Sequence, residues 1–397
     1  MTPKDPSGPV LSRASDDAGT VRTWHRVVLA LYVFTAVLVT VQRGILGPAH
    51  TTFKIFRQSF WHLLRGVNLY ASYPLEQGLG PSDLFKYSPT AALLYGPFAV
   101  PPYSVALLGW SLLSALLLFH ALRRLLAPRE AVLASVLVYP DLLASMQACS
   151  SNALVAALII LAYVALEHGA QLRAAIAIVL GAAIKIFPLA ALTFAVLHGR
   201  RRRFAVLFAA VVIVLLVLPL LVTTPDRLVQ QYRWWSEIEH SDAADLLFGL
   251  SLMRMLRGWI GGGWPNWPLQ VAGTALLLLP LAIRRDRWRD ERFRMHFLAS
   301  VLAYAVLFNH QAERASFVIA SAGVAVWCIS LPPQVERRAL RLLLGIAALV
   351  GLGTLPLTAV WVVMQWELLR WQRAGAEQPA RRESLQSSNA PTLLAGD

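Results

Sequence analysis

Apolar runs of about 20 residues, repeatedly interrupted by short arginine clusters, constrain this chain more than any other feature. A run of that length fits a helix crossing a bilayer, where each backbone polar group must be bonded within its own helix. The 397 residues are 57% apolar and the mean hydropathy is +0.55. That leaves too little polar surface for a soluble globule, so the reading is an all-α, polytopic integral membrane protein. The 36 basic and 22 acidic residues give a net charge of +14. In a soluble chain this would point to nucleic acid. Here the arginines fall between apolar runs, as RRRR at 200–203, RRDRWRDERFR at 284–294 and ERRALR at 336–341. That is the positive-inside pattern, which orients a membrane protein, and no nucleic-acid partner is expected.

Placing the runs against the arginines predicts about twelve transmembrane helices, some short or broken, with both termini inside. Residues 1–25 read as a disordered cytoplasmic start and 26–372 as one transmembrane domain. Residues 373–397 read as a disordered cytoplasmic tail. The run from Val27 to Leu46 is too long for a typical signal-peptide core and reads as an uncleaved anchor. Two long segments, 47–87 and 223–267, fall outside. They carry four tyrosines, six tryptophans and seven carboxylates, so chemistry is expected on the outer face. Within the first, Phe53, Phe56, Phe60 and Leu63 share one face, predicting an amphipathic helix lying in the interface. Cys149 and Cys328 are the only cysteines, and no cysteine-built metal site is expected.

Lys185 lies within the apolar stretch AAIAIVLGAAIKIFPLAALTFAVL. An ionised side chain at bilayer depth costs on the order of 3 kcal/mol or more and marks a functional site by default. The alternative is a lysine that snorkels to the interface or pairs with a carboxylate. Pro188 follows three residues later, so the helix should break there and free backbone groups beside the ammonium. Only four lysines occur, Lys4, Lys54, Lys86 and Lys185, against an arginine default. Such a lysine at a helix break suits an anion.

In the first outer segment, Glu76, Asp83, Lys86 and Tyr87 stand just before Ser88-Pro89, which opens a half-helix over 88–100. Helix N-termini attract anions, so Lys86 and this start form a candidate anion site. Alternatively Ser88 is only an N-cap, Pro89 an ordinary first-turn proline and Lys86 a headgroup contact. In the second segment, Trp235 and its aromatic neighbours could stack on sugar faces, with Glu237, Glu239, His240, Asp242 and Asp245 binding hydroxyls. An aromatic belt is the competing account. Arg254 and Arg257 are candidates for phosphate or for headgroups. The turn FNHQAERAS at 308–316 gathers Asn309, His310, Glu313 and Arg314. His310 with Glu313 is a candidate acid/base pair, and a Glu313–Arg314 ion pair is the alternative. Asn152, in SSNAL, is either a substrate contact or a helix cap.

Taken together, RGVNLYASYP with DLFKYSPTAALLYGPFAVPP, SSNALVAALIILAYVAL and LGAAIKIFPLAALTFAVLHGRRRR resemble the GT-C type glycosyltransferases of family 87. LFGLSLMRMLRG and FNHQAERASFVIA agree more loosely. The resemblance covers roughly residues 26–370 and is to a divergent branch. It implies a GT-C-like fold in a bacterial inner membrane and transfer of a hexose, mannose in the best-known members, from a polyprenyl-phosphate sugar. The acceptor would be a glycan or glycolipid on the outer face. Membrane lipids are the other expected partners, and no cofactor or metal is expected. It further implies that Lys185 contacts the donor phosphate, with Lys86 and Arg254, read from the residues themselves, as candidate neighbours. Glu76, Tyr87, Asn152, Asn309 and Trp235 are assigned to sugar or acceptor. The family's acidic residue early in the first outer loop has no counterpart here. Its slot falls at Thr51 and Thr52, and no carboxylate occurs from Ile45 to Leu75. Threonine is no base at neutral pH, so Asp83 is the first candidate replacement and Glu313 the second. A lipid-linked-sugar flippase and a catalytically inactive protein of the same fold are the alternatives.

Overall fold

Each apolar run forms a helix in the computed structural model, which describes residues 8–74, 76, 79–80, 83–199, 201–242, 249–261, 264–329, 338–349 and 353–371. Residues 1–7, Asp245 and the expected tail 373–397 lie outside the described residues. No strand occurs among those described. The helices are α1 (Gly8–Val41, continued by a π-helical turn, Gln42–Leu46), α2 (Thr51–Arg65), α3 (Pro89–Leu94), α4 (Gly96–Ala99) and α5 (Tyr103–Leu125). They continue as α6 (Pro128–Gln147), α7 (Asn152–Glu167), α8 (Gln171–Ile184), α9 (Leu192–Val196), α10 (Arg201–Val217), α11 (Pro225–Asp242) and α12 (Leu252–Ile260). The last are α13 (Trp267–Ile283), α14 (Glu291–Leu307), α15 (Phe317–Ile329), α16 (Arg338–Leu349) and α17 (Thr354–Leu369).

Three helical stretches, Gly19–Leu46, Tyr103–Leu125 and Arg201–Leu221, are long and apolar enough to cross a membrane. Six shorter apolar helices accompany them. Among the α10 side chains only Phe204 is buried, while Val206 and Ile213 are 70% and 61% exposed. An apolar face of that size belongs against lipid. The protein is therefore an all-helical membrane protein. Its core centres on α7, buried along nearly its whole length and packed on α5, α8 and α15, with α14 against α15.

The two ends of α7 are chemically distinct. At its C-terminal end, Glu167 receives a fork of two hydrogen bonds from Arg294, both 2.6 Å. His198 stands 3.5 Å from the same carboxylate. Two arginine-rich segments, distant in sequence, therefore meet at one end of the helix. At the opposite end, Asn152 faces the two long polar segments. These are joined through Gln231, which donates to the Val67 carbonyl (2.6 Å) and accepts from the Leu69 N–H (3.1 Å). A second buried ion pair, Arg341–Glu367, ties α16 to α17 and accepts the Trp327 indole N–H at 2.8 Å.

Element boundaries differ from expectation in two places. The first helix begins well before residue 26, because the polar residues preceding the apolar run carry no proline between Pro9 and the anchor. The expected half-helix is two short helices, α3 and α4, whose turn at Tyr95–Gly96 presses against Phe60 of α2. The amphipathic α2 buries Phe53, Phe56 and Leu63, and its Arg57 donates to the Ala99 and Pro101 carbonyls at 3.0 and 2.6 Å.

Candidate functional site

Helix α8 stops at Ile184 because the Pro188 ring would clash with the carbonyl four residues earlier. Lys185 leaves the helix with φ −148° and ψ 137°. Its N–H still closes the last turn onto the Gly181 carbonyl, 2.8 Å away. The break would strand the Ala183 carbonyl in an apolar setting. Ser88 supplies its partner, donating from the hydroxyl at 2.7 Å and from the N–H at 3.4 Å. The Ser88 hydroxyl also accepts the Ala91 N–H at 3.1 Å. The α3 start is thus capped by its own serine, and Ser88 joins it to the α8 break.

The freed lysine is held by an amide. Lys185 Nζ donates to Asn152 Oδ1 at 2.7 Å and lies 5.7 Å from the centre of the Phe187 ring. Asn152 is 1% exposed and its Nδ2 donates to Ser150 Oγ at 3.2 Å, itself 2.8 Å from Ser145 Oγ. Asn152 is therefore the partner of the lysine, while the cap position is Ser151.

A cavity of about 850 Å³ opens over this pair. Its lining brings together Lys185, Asn152, Asp83, Lys86, Tyr87, Trp235, Asn309, His310 and Glu313 from five separate stretches of sequence. Two candidates lie elsewhere. Glu76 accepts from Gln58 Nε2 and from His62 Nε2 (3.0 Å), which binds it to α2. Arg254 is exposed on α12, outside the lining. Trp235 donates to the Lys86 carbonyl at 3.4 Å, so its polar edge is used in joining the two outer segments.

Three carboxylates line the cavity, Asp83, Glu239 and Glu313, and the first and last differ in setting. Asp83 accepts the Gly80 N–H at 2.6 Å and so shapes its own loop. Glu313 is exposed, and its charge acts on Lys185, Tyr87 and His50. The Tyr87 phenol is pushed up by burial and by that charge. His50 is pushed down by burial and by Arg43, with Glu313 opposing. Arg314 is committed to the buried Asp141 of α6, 2.7 Å away, which anchors the 309–313 turn to the helix bundle.

Several lining residues carried no functional reading from sequence. Gln270 and Thr274 line the cavity with Leu277 and Leu278, a four-residue spacing that puts them on one face of α13. Thr274 Oγ1 lies 2.6 Å from Tyr304 Oη of α14. The available signal was that helical spacing of polar groups in an apolar run. Their approach to the site depends on Gly273, where a Cβ would fall 2.1 Å from the Phe308 ring. Thr51 and Thr52 also line the cavity, so the slot left without an acid does face the site. The other wall is apolar, formed by Ile184, Ile186, Leu189 and Ala190 opposite Leu277 and Leu278. Ile186 is 62% and Leu278 39% exposed, so this wall continues to the lipid-facing surface.

A bundle of apolar helices thus holds a polar cavity with a lysine at a helix break in its lining. The sequence pattern of glycosyltransferase family 87 matches residues 85–309, more than half of the chain, and the protein belongs to that family. It is accordingly a membrane glycosyltransferase. The matched span contains Lys86, Tyr87, Asn152, Lys185, Trp235 and Asn309; Asp83, His310 and Glu313 lie just beyond its ends. No curated protein matches the chain.

Proposed function

We propose that the protein transfers a hexose, mannose in the first instance, from a polyprenyl-phosphate sugar to a glycan or glycolipid acceptor on the outer face of a bacterial inner membrane. About twelve membrane crossings, with both termini cytoplasmic, complete this reading. The observation that carries it is the Lys185–Asn152 pair at the floor of a cavity with a polar rim and an apolar wall leading to lipid. A polyprenyl phosphosugar has the same three parts: a charged phosphate, a polyhydroxyl head and an apolar tail.

In the reaction, the acceptor hydroxyl oxygen forms a bond to the anomeric carbon as the bond from that carbon to the phosphate oxygen breaks. The electron pair of the broken bond leaves with polyprenyl phosphate. Lys185, hydrogen-bonded to a neutral amide rather than ion-paired, is placed to offset the growing negative charge. The acceptor proton passes to a carboxylate, and a single displacement inverts the anomeric centre. Glu313, exposed on the cavity turn that also carries His310, is taken as the base, with Asp83 and Glu239 as the other carboxylates of the lining. His310 orients the acceptor.

The test is transfer of labelled mannose from polyprenyl-phosphate-mannose to a membrane glycolipid pool by purified protein. Glu313→Gln should lower the rate by about 10²–10⁴-fold, the usual worth of a general base. Asp83→Asn should lower it by less than about tenfold, a loss of loop order alone. The reverse pattern moves the base to Asp83. Absence of transfer and of donor hydrolysis with every polyprenyl phosphosugar tried defeats the enzyme reading. It would favour the inactive-protein alternative, for which Thr51 and Thr52 in the acid's slot are the specific support.

A further inference from the structure

Thr274 of α13 and Tyr304 and Phe308 of α14 line the cavity but take no part in the displacement described above. The hydrogen bonds among them have a fixed direction. The Thr274 hydroxyl donates to the Gln270 carbonyl, one turn earlier, at 2.7 Å. A carbonyl can only accept, so the single hydrogen of Thr274 is used there. At the 2.6 Å contact between Thr274 Oγ1 and Tyr304 Oη, the phenol is therefore the donor. With its hydrogen turned onto Thr274, Tyr304 offers the cavity only an oxygen lone pair. The ring is held in place by stacking on Phe308, 5.1 Å between centres at 26°. Phe308 in turn meets Trp361 of α17 edge-on at 5.2 Å.

The order of residues along α13 decides which part of a substrate meets this oxygen. Leu277 and Leu278 belong to the apolar wall that runs on to the lipid-facing surface. Thr274 lies about one turn, roughly 5 Å, from them at 1.5 Å per residue. It lies on the side of Trp267, where α13 leaves the second long polar segment. An apolar tail resting on Leu277 and Leu278 therefore leaves the group attached to it beside Thr274 and Tyr304.

We propose that Tyr304, oriented by Thr274, accepts a hydrogen bond from one hydroxyl of the donor's hexose and so helps to select the sugar. The proposal rests on the polyprenyl-phosphate sugar reading of the cavity, and not on the identity of the base. A sugar hydroxyl brings the hydrogen that this phenol oxygen lacks. Fluorine at the same sugar position has none to give, and it faces the oxygen with a second acceptor. Thr274 is a positioning residue: without its oxygen the phenol hydrogen turns into the cavity, and Tyr304 becomes a donor there.

The experiment is equilibrium binding to the purified full-length protein in detergent. The ligands are polyprenyl-phosphate-mannose, its analogues with each sugar hydroxyl in turn replaced by fluorine, and polyprenyl phosphate. Wild type should bind one fluorinated analogue about five-fold more weakly than the parent, the usual worth of one hydrogen bond. Tyr304→Phe, which keeps the ring stack, should lose that discrimination at that one position and bind the parent about five-fold more weakly. Both proteins should bind polyprenyl phosphate equally, since it carries no sugar. Thr274→Val should also narrow the discrimination, because the freed phenol hydrogen can face fluorine, and Thr274→Ser should restore it. A merely structural Thr274 would change affinity for every ligand alike. Unchanged discrimination in Tyr304→Phe, or an equal loss of polyprenyl phosphate binding, overturns the proposal. A wild type that binds no polyprenyl phosphosugar overturns it together with the donor reading. Because binding is measured, the two readings fail separately. A Tyr304-dependent preference without any sugar transfer removes the enzyme reading and leaves this site, whereas transfer without that preference removes the site alone.

Discussion

A lysine held by an amide behaves differently from one held by a carboxylate, and this distinction governs the residue scale. Asn152 Oδ1 orients Lys185 Nζ at 2.7 Å without forming an ion pair, which in the proposed reaction leaves the ammonium to meet the donor phosphate. Lys185→Ala should lower kcat/KM for the polyprenyl-phosphate donor by about 10²–10³-fold, the loss seen when one transition-state donor is removed. Lys185→Arg should restore only part, because a planar fork does not reproduce a single ammonium contact. Asn152→Asp should raise the donor KM by placing a carboxylate against the ammonium, measured by initial rates at varied donor. Lys185 was legible in the sequence because a charge in an apolar run is costly wherever the helix ends up. The role of Asn152 was not legible, since its partner lies 33 residues away and nothing local distinguishes a helix cap from an acceptor.

At the scale of elements, proline and the caps decided where helices stop. The break at Ile184 follows from Pro188, so both the break and the lysine at it could be expected from sequence. The satisfaction of the Ala183 carbonyl by Ser88 could not, because it joins residues 95 apart. Helix α2 begins at His50, whose Nδ1 accepts the Thr52 N–H at 3.3 Å. Only an unprotonated Nδ1 can accept. Burial and Arg43 hold the imidazole below its ordinary pKa. The folded state therefore binds the proton less readily than the unfolded chain. The cap's contribution is present above about pH 6.5, the unfolded value, and is lost as pH falls through the lowered folded value. Thermal unfolding should show wild type losing stability on acidification more steeply than His50→Asn, which keeps a cap acceptor without a titrating ring.

At the scale of the whole molecule, the segregation of polar groups to opposite ends of the bundle is what the proposed topology rests on. Arginine-rich turns meet at Glu167, and the long polar segments meet around the cavity. Substituted cysteines test this directly, because native Cys149 and Cys328 are buried. Glu237→Cys should react with a membrane-impermeant maleimide on intact spheroplasts, and Arg202→Cys only after lysis. Equal labelling of both without lysis would remove the proposed topology. The exposed apolar faces of α10 and of the Ile186 segment have the same physical meaning, since both are stable only against lipid.

The helical class, the membrane setting, the arginine-marked turns and the lysine at a break were determined by the sequence alone. Each depends on local period, local charge or one proline, and none needs a distant partner. The tertiary structure decided which polar residues share the cavity. It drew Asp83, Asn152, His310 and Glu313 around Lys185, kept Glu76 with Gln58 and His62, and left Arg254 outside. It also brought in Gln270, Thr274 and Tyr304, and buried Arg341 against Glu367 although its sequence setting reads as an exposed basic turn. Those outcomes depend on which helix faces pack together, and packing is a property of pairs of elements that no single stretch of sequence carries.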